Sequence, residues 1–218
     1  ETDDRPIALI EIGASAGLCL LPDYYQYKIH NKLHRPPKAA TDAPIIDCAV
    51  SGTPPFNPNL NIGWRHGLDI NPIDIHDAQE CDWLETLIWP GNDLRLARLQ
   101  GALRVAQNQS FEIATGDALD GLEALVDKAP RDVNVVVYHG AVMFYLPPPR
   151  QQEFATKVRS LPVHWISQEY AGLFPDFVDA KKNKIELNDT LDYFALALDS
   201  TVLARTHMHG KDVTWLAD

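Results

Sequence analysis

The 218-residue sequence lacks long apolar runs, closely spaced cysteines and an excess of basic residues. No stretch is long and apolar enough to cross a bilayer, so we expect no membrane-spanning helix. Its three cysteines, Cys19, Cys48 and Cys81, are too far apart for a paired-cysteine metal motif and fit a reducing, cytoplasmic setting. No signal peptide is visible, and the first residue is Glu1 rather than Met, which predicts a chain that is processed, trimmed or a fragment.

Basic residues are in the minority, with 19 Lys and Arg against 30 Asp and Glu and a formal net charge of −11. A surface of this charge repels a polyanion, so nucleic acid is not an expected partner. A small molecule or a protein is the expected partner instead. Apolar residues make up 45% of the chain, enough for one α/β domain over residues 1–218 with a substantial core.

A small-residue loop directly follows the first predicted strand. The run Ile7–Ile12 is apolar except for Glu11, which is typical of a strand buried on both faces. Gly13 and Gly17 then flank Ser15, and the two glycines permit a tight turn and close approach of a ligand to the backbone. This order predicts a ligand pocket at the carboxyl ends of a parallel sheet.

Strand-like and helix-like stretches alternate along the rest of the chain. Residues 23–61 indicate a β-rich insertion, and residues 62–70 return to strand character and are predicted to lie parallel to Ile7–Ile12. The most β-branched run, 133–138, is placed at the sheet centre. Strands near the end of the chain predict an antiparallel hairpin. The fold class is therefore α/β, with a mostly parallel Rossmann-like sheet and helices on both faces.

Three carboxylates stand at the ends of successive predicted strands, Glu11, Asp69 and Asp117. Parallel strands bring their carboxyl ends to one edge, so the three side chains could share one ligand. Asp69 would then accept hydrogen bonds from ribose hydroxyls, and Asp117 from an adenine amino group. The alternative is that these residues are polar only because loops face water.

Histidines and one further acid provide candidate bases. His139 follows the strand 133–138 and Glu169 follows the strand 163–167, so either could act as a general base at the same edge. The alternative for His139 is a structural hydrogen bond. His207 and His209 share one face of a strand but lack further ligands at metal-binding spacing, so no metal is predicted.

Small-residue loops of this kind serve several chemistries. The sequence G-x-S-x-G at 13–17 does not match the dinucleotide fingerprint G-x-G-x-x-G, and Pro22 limits any following helix, which disfavours NAD and FAD. The same pattern matches the nucleophile elbow of α/β-hydrolases, with Ser15 as nucleophile and His207 or His209 completing the order. A third hypothesis is a non-catalytic binding module that keeps the fold as a scaffold.

Several stretches together resemble a bacterial family known only as a domain of unknown function. They are Glu11-Ile12-Gly13-Ala14-Ser15-Ala16-Gly17-Leu18, Arg65-His66-Gly67-Leu68-Asp69-Ile70-Asn71-Pro72, Trp83-Leu84, Trp89-Pro90, Gly116-Asp117, His139, Trp165-Ile166-Ser167 with Glu169, and His207-Met208-His209-Gly210. The resemblance covers nearly the whole chain, from about residue 7 to residue 215. Members usually carry a further helical segment ahead of the first strand.

The order of these motifs is similar to that of S-adenosylmethionine-dependent methyltransferases with a Rossmann-like sheet. Their first motif is E/D-x-G-x-G-x-G, which residues 11–17 match except that Ser15 replaces the middle glycine. The resemblance implies that S-adenosylmethionine is the cofactor and that Asp69 and Asp117 are the second and third acidic positions. It implies methyl transfer to a small-molecule or protein acceptor. Two departures are the long insertion before Asp69 and His139-Gly140 in place of a polar-proline motif.

Overall fold

The computed structural model describes residues 4–179 and 193–217. Within these ranges the chain is mixed α/β, with twelve strands in one sheet and four α-helices. The strands are β1 (Ile7–Ile12), β2 (Gln26–Ile29), β3 (Lys32–His34), β4 (Ile45–Ser51), β5 (Ile62–Asp69), β6 (Glu112–Thr115), β7 (Asn134–Gly140), β8 (His164–Tyr170), β9 (Val178–Asp179), β10 (Tyr193–Leu198), β11 (Thr201–His207) and β12 (Asp212–Trp215). The helices are α1 (Ala78–Thr86), α2 (Asp93–Ala106), α3 (Ala118–Asp127) and α4 (Pro148–Ser160).

The strand order is β3-β2-β4-β12-β11-β10-β8-β7-β1-β5-β6, and β9 pairs with β11. The five strands from β8 to β6 run parallel to one another. The strands β8, β10, β11 and β12 follow one another in antiparallel pairing. The predicted mostly parallel sheet and antiparallel C-terminal hairpin are therefore confirmed. The hairpin turn is Asp199-Ser200, and both residues have positive φ, 46° and 72°, as a two-residue hairpin turn of type I′ requires.

Strand β1 lies between β5 and β7, and both neighbours run parallel to it. The prediction that residues 62–70 lie beside Ile7–Ile12 and parallel to it is thus confirmed. The strongly β-branched β7 lies in the sheet interior, between β8 and β1. Two predicted strand ends are wrong, because His139 lies inside β7 and Glu169 lies inside β8. Strand β8 continues past Ser167 because β10 pairs with it as far as Tyr170.

The helices begin where a side chain or a proline satisfies the first turn. The Asp77 carboxylate accepts from the backbone N–H groups of Gln79 and Glu80 and caps α1. Asp117 caps α3 in the same way, by accepting from the N–H of Leu119. Helix α4 begins with prolines, which need no hydrogen-bond partner at this position.

The two faces of β1 belong to different parts of the core. Ile10 and Ile12 pack with apolar side chains of α3 and α4, among them Leu122 and Phe154. Leu9 points to the opposite face, where Leu20 covers it. Since side chains alternate along a strand, Glu11 shares the face of Leu9 and lies under residues 18–25.

The insertion 23–61 contains β2, β3 and β4, so its predicted β-rich character is confirmed. Strand β4 pairs with β12, which places the insertion strands at the far side of the C-terminal strands. A buried ion pair anchors the start of the insertion to β5. Arg65 donates to both carboxylate oxygens of Asp23 at 2.8 Å, and the two side chains are 9% and 2% exposed.

Candidate functional site

The strand order reverses between β1 and β7. The chain leaves β1 for β5 and β6 on one side and returns to β7 and β8 on the other. In open α/β sheets, ligands bind beyond the carboxyl ends of the strands at such a reversal. Glu11, near the carboxyl end of β1, is in register with Tyr138 of β7 and Gly67 of β5. The reversal therefore places Glu11 where this fold class binds its ligands.

Glu11 is an acid with incomplete hydrogen bonding. Its residue is 7% exposed, and Oε2 has no hydrogen-bond partner within the described ranges. Burial raises the pKa of Glu11 to about 8; the Tyr138 hydroxyl and the Cys19 thiol oppose this rise, and Asp69 adds to it. Glu11 is therefore mostly protonated at neutral pH.

Tyr138 and Cys19 complete the surroundings of this carboxyl group. The Tyr138 hydroxyl lies close to Glu11 and is buried. In the part of the chain that the structure describes, it makes no hydrogen bond. Cys19 is exposed as a residue, but its thiol is buried against Glu11. The Glu11 carboxylate and this burial raise the pKa of the thiol. The Tyr138 hydroxyl and the Cys19 thiol thus lie around the buried Glu11 carboxyl group. We name the group Glu11, Tyr138 and Cys19 the acid recess.

The loop after β1 is tied to the end of β5. The N–H groups of Gly13 and Ala14 both donate to the Leu68 carbonyl, at 2.8 and 3.3 Å. The N–H of Ser15 donates to Asp69 Oδ2 at 2.7 Å. The structure thus brings the predicted residues Gly13, Ser15 and Asp69 together beside Glu11. The N–H of Asn71 donates to the other oxygen, Asp69 Oδ1, at 2.8 Å. Each oxygen of Asp69 therefore holds the backbone with one lone pair and keeps the other for a ligand.

Packing within the protein accounts for both glycines of the loop. Gly13 and Gly17 have φ of 73° and 68°, which glycine adopts at low cost. A Cβ at Gly13 would overlap the Val142 side chain, and a Cβ at Gly17 would overlap the Phe111 ring. These glycines are therefore needed by the fold, and their role in cofactor binding stays a prediction.

Asp117 lies at the end of β6, next to Asp69 along the carboxyl edge. The N–H of Gly116 donates to the Asp69 carbonyl at 2.8 Å, which links the two strand ends. Asp117 Oδ1 caps α3 and also accepts from Arg150 of α4 at 2.6 Å. The structure therefore places Asp117 on the predicted edge, in an ion pair with Arg150.

His139 and Glu169 form a buried pair on the other face of β7. His139 Nδ1 lies 2.8 Å from Glu169 Oε1, and the side chains are 0% and 2% exposed. Trp165 Nε1–H donates to His139 Nε2 at 2.9 Å, so Nε2 is the acceptor and Nδ1 carries the proton. Both ring nitrogens are thus engaged inside the protein. The predicted role of either residue as a base stays a prediction.

Glu169 Oε1 also accepts from the backbone of the turn that follows β7. The N–H groups of Val142 and Met143 donate to it at 2.9 and 3.0 Å. Its second oxygen, Oε2, has no partner among the residues that the structure describes. Glu169 therefore connects the ends of β7 and β8 through one oxygen.

The remaining candidates lie away from the acid recess. His207 belongs to β11, which three strands separate from β1, so it does not reach Ser15.

Within residues 4–179 and 193–217, no group of three or more His, Cys, Asp or Glu side chains is arranged to hold a metal ion. No helix in those same ranges has the length and apolar character needed to span a membrane.

Sequence reasoning missed Tyr138 and Cys19 as members of the site. Tyr138 could have been found from the sequence, because pairing β1 with β7 places its hydroxyl-bearing side chain beside Glu11. No spacing pointed to Cys19, because its position depends on the 3-10 helix Leu18–Leu20 that follows the loop. Asp23 and Arg65 were also missed as a buried ion pair, since their residues are far apart in sequence.

The fold and the acid recess define a mixed α/β protein with a buried carboxyl group at the reversal of its strand order. The chain belongs to the family described as uncharacterized protein conserved in bacteria (DUF2332), whose model matches residues 1–215. No curated protein and no solved structure matches the chain.

Proposed function

We propose that the protein binds S-adenosylmethionine at the carboxyl edge of β1, β5, β6 and β7 and transfers its methyl group to a small-molecule or protein acceptor. The observation that carries the proposal is Glu11, buried at the strand-order reversal with one carboxylate oxygen unpartnered. A buried acid of this kind is stabilised in its charged form by a cationic ligand. S-adenosylmethionine carries two such centres, an ammonium and a sulfonium.

The strand order supports this proposal at the level of the fold. The parallel strands β6-β5-β1-β7-β8 have the order 3-2-1-4-5 of the Rossmann arrangement when numbered along that block. Helices α3 and α4 pack on the Ile10 face of the sheet. Helix α2 packs with Leu21 and Tyr25, which belong to the segment over the Glu11 face. The proposed fold is therefore Rossmann-like, with helices on both faces.

The residues along the edge suit the parts of this cofactor. When bound, S-adenosylmethionine supplies an electrophilic methyl group. Glu11 would hold the ammonium group, and the free lone pairs of Asp69 would accept from ribose hydroxyls. Asp117 would accept from the adenine amino group, beside its ion pair with Arg150. Catalysis would rest mainly on holding the acceptor in line with the methyl group.

Calorimetric titration with S-adenosylmethionine and S-adenosylhomocysteine tests the proposal. We expect binding that releases close to one proton per ligand at pH 7, because a cation favours the ionised form of Glu11, whose pKa is about 8. Titrations in two buffers of different ionisation enthalpy measure this proton. Glu11→Gln should abolish the proton release and weaken binding about tenfold or more, since it removes a charge-assisted contact. Asp69→Ala should weaken binding by about 1–3 kcal/mol.

Asp77→Asn is the matched control for these titrations. It removes a carboxylate that caps α1 on the surface, and asparagine caps a helix equally well. This variant should bind and release protons as the unaltered protein does. The absence of heat with either compound at millimolar concentration would contradict the proposal.

A further inference from the structure

The turn after β7 presents two aromatic rings to solvent beside the glycine loop. It contains the short 3-10 helix Met143–Tyr145, in which Phe144 is 42% and Tyr145 is 77% exposed. Their ring centroids are 4.1 Å apart with an interplanar angle of 35°. Val142, which precedes them, packs directly against Gly13. The ring pair therefore lies at the carboxyl edge, next to the loop that follows β1.

This turn is fixed from two sides. Glu169 Oε1 accepts from the N–H groups of Val142 and Met143 and from His139 Nδ1. Gln151 of α4 donates to two backbone carbonyls of the turn, at 3.1 and 2.9 Å. Four hydrogen bonds from side chains thus hold the backbone of this turn. Exposed rings on a rigid turn lose little entropy when a ligand contacts them.

Two energetically unfavourable features accompany this turn. Ala141 has φ of 58°, a left-handed conformation that a residue other than glycine adopts at a cost. Glu169 is 2% exposed and leaves Oε2 without a partner in the described ranges. Backbone strain at Ala141, directly before a turn with two exposed rings, is a feature of a binding surface.

We propose that Phe144 and Tyr145 form a platform for a flat aromatic ring without negative charge, and that Glu169 and His139 are positioning residues for it. Aromatic side chains pair favourably with other flat rings and with cations. The net charge of −11 disfavours an anionic ligand. Calling this ligand the methyl acceptor rests on the proposed function, whereas the platform itself does not.

Ligand-observed NMR titration tests the platform with two indoles of opposite charge, tryptamine and indole-3-acetate, in the absence of any cofactor. We expect tryptamine to bind in the millimolar range and more tightly than indole-3-acetate. Phe144→Ala and Tyr145→Ala should each weaken tryptamine binding about fivefold, as loss of one ring contact implies. Trp89→Ala is the control, because Trp89 is 83% exposed and lies outside the turn.

Three results would overturn the platform: no tryptamine binding, binding unchanged in Phe144→Ala and Tyr145→Ala, or equal weakening by Trp89→Ala. Equal affinity for the two indoles would overturn the selection against negative charge. The platform and the proposed cofactor site fail independently. Tyr145→Ala should still bind S-adenosylmethionine, and loss of cofactor binding in Glu11→Gln should leave tryptamine binding intact.

The positioning role is tested by two variants of Glu169. Glu169→Gln keeps an oxygen that can accept from Val142, Met143 and His139, so tryptamine affinity should stay within about twofold of the unaltered protein. Glu169→Ala removes that acceptor and should weaken tryptamine binding about as much as Tyr145→Ala. A folded Glu169→Ala protein with unchanged affinity would overturn the positioning role, as would a Glu169→Gln protein that no longer binds.

Discussion

At the scale of single residues, Glu11 makes stability depend on pH. Its pKa rises from an ordinary 4.5 to about 8 in the folded protein because burial disfavours the charged form. Between these values the folded state holds a proton that the unfolded state has lost. The contribution of Glu11 is therefore fully present below pH 4.5 and declines as pH rises toward 8, by about 1.4 kcal/mol per pH unit.

Glu11→Gln should remove this dependence, because glutamine does not ionise. We expect the free energy of unfolding of the variant to exceed that of the unaltered protein at pH 8.5 and the difference to shrink toward pH 5. Urea unfolding at pH 5, 7 and 8.5 measures it. Asp77→Asn serves as the control and should run parallel to the unaltered protein. Equal slopes for Glu11→Gln and the unaltered protein would show that Glu11 titrates normally.

The positions of single residues could be predicted from the sequence where an apolar run marks the end of a strand. Glu11 and Asp69 could be placed at one edge because each lies at or next to the end of an apolar strand and the two strands are parallel. His139 and Glu169 were placed just beyond their strands, whereas both belong to them. The pairing of β8 with β10 extends β8, and a pairing between distant segments leaves no mark in the local sequence.

At the scale of elements, the insertion is anchored by the ion pair between Asp23 and Arg65. Two hydrogen bonds join the side chains, and Arg65 also donates to the Leu20 carbonyl at 2.9 Å. Lys38 contacts the same carboxylate from the surface. Removing Arg65 leaves the buried Asp23 carboxylate only this surface contact with Lys38, and losing the buried partner costs more than the pair itself contributes.

Arg65→Met should therefore lower the free energy of unfolding by about 3–5 kcal/mol, and the double variant Asp23→Leu with Arg65→Met should recover part of that loss. Urea unfolding of both single variants and the double variant gives the coupling energy. The control is Lys28→Met, whose ion pair with Asp47 is 2.9 Å long, close to the 2.8 Å of the buried pair, but lies on the surface. That change should cost less than about 1 kcal/mol. A similar cost for Lys28→Met and Arg65→Met would contradict a special role for the buried pair.

At the scale of the whole molecule, many strands could be predicted from the sequence, but most of their order within the sheet could not. Ile7–Ile12 has the predicted bounds, since apolar and β-branched content is a local property of the sequence. The position of the insertion beside β12 was not predicted. Val50 of β4 pairs with Val213 of β12, although most of the chain separates them in sequence. Nothing in the sequence near either residue identifies its pairing partner.

This pairing of β4 with β12 has a consequence for synthesis on the ribosome. Strand β4 is made early, yet one of its two edges stays open until residues 212–215 have emerged. An open strand edge invites pairing with other chains. A chain that stops after Gly210 should therefore be released largely into the insoluble fraction of a cell-free translation, whereas a chain that stops after Leu216 should stay soluble. Equal solubility of the two would mean that the nascent protein protects β4 without its last strand.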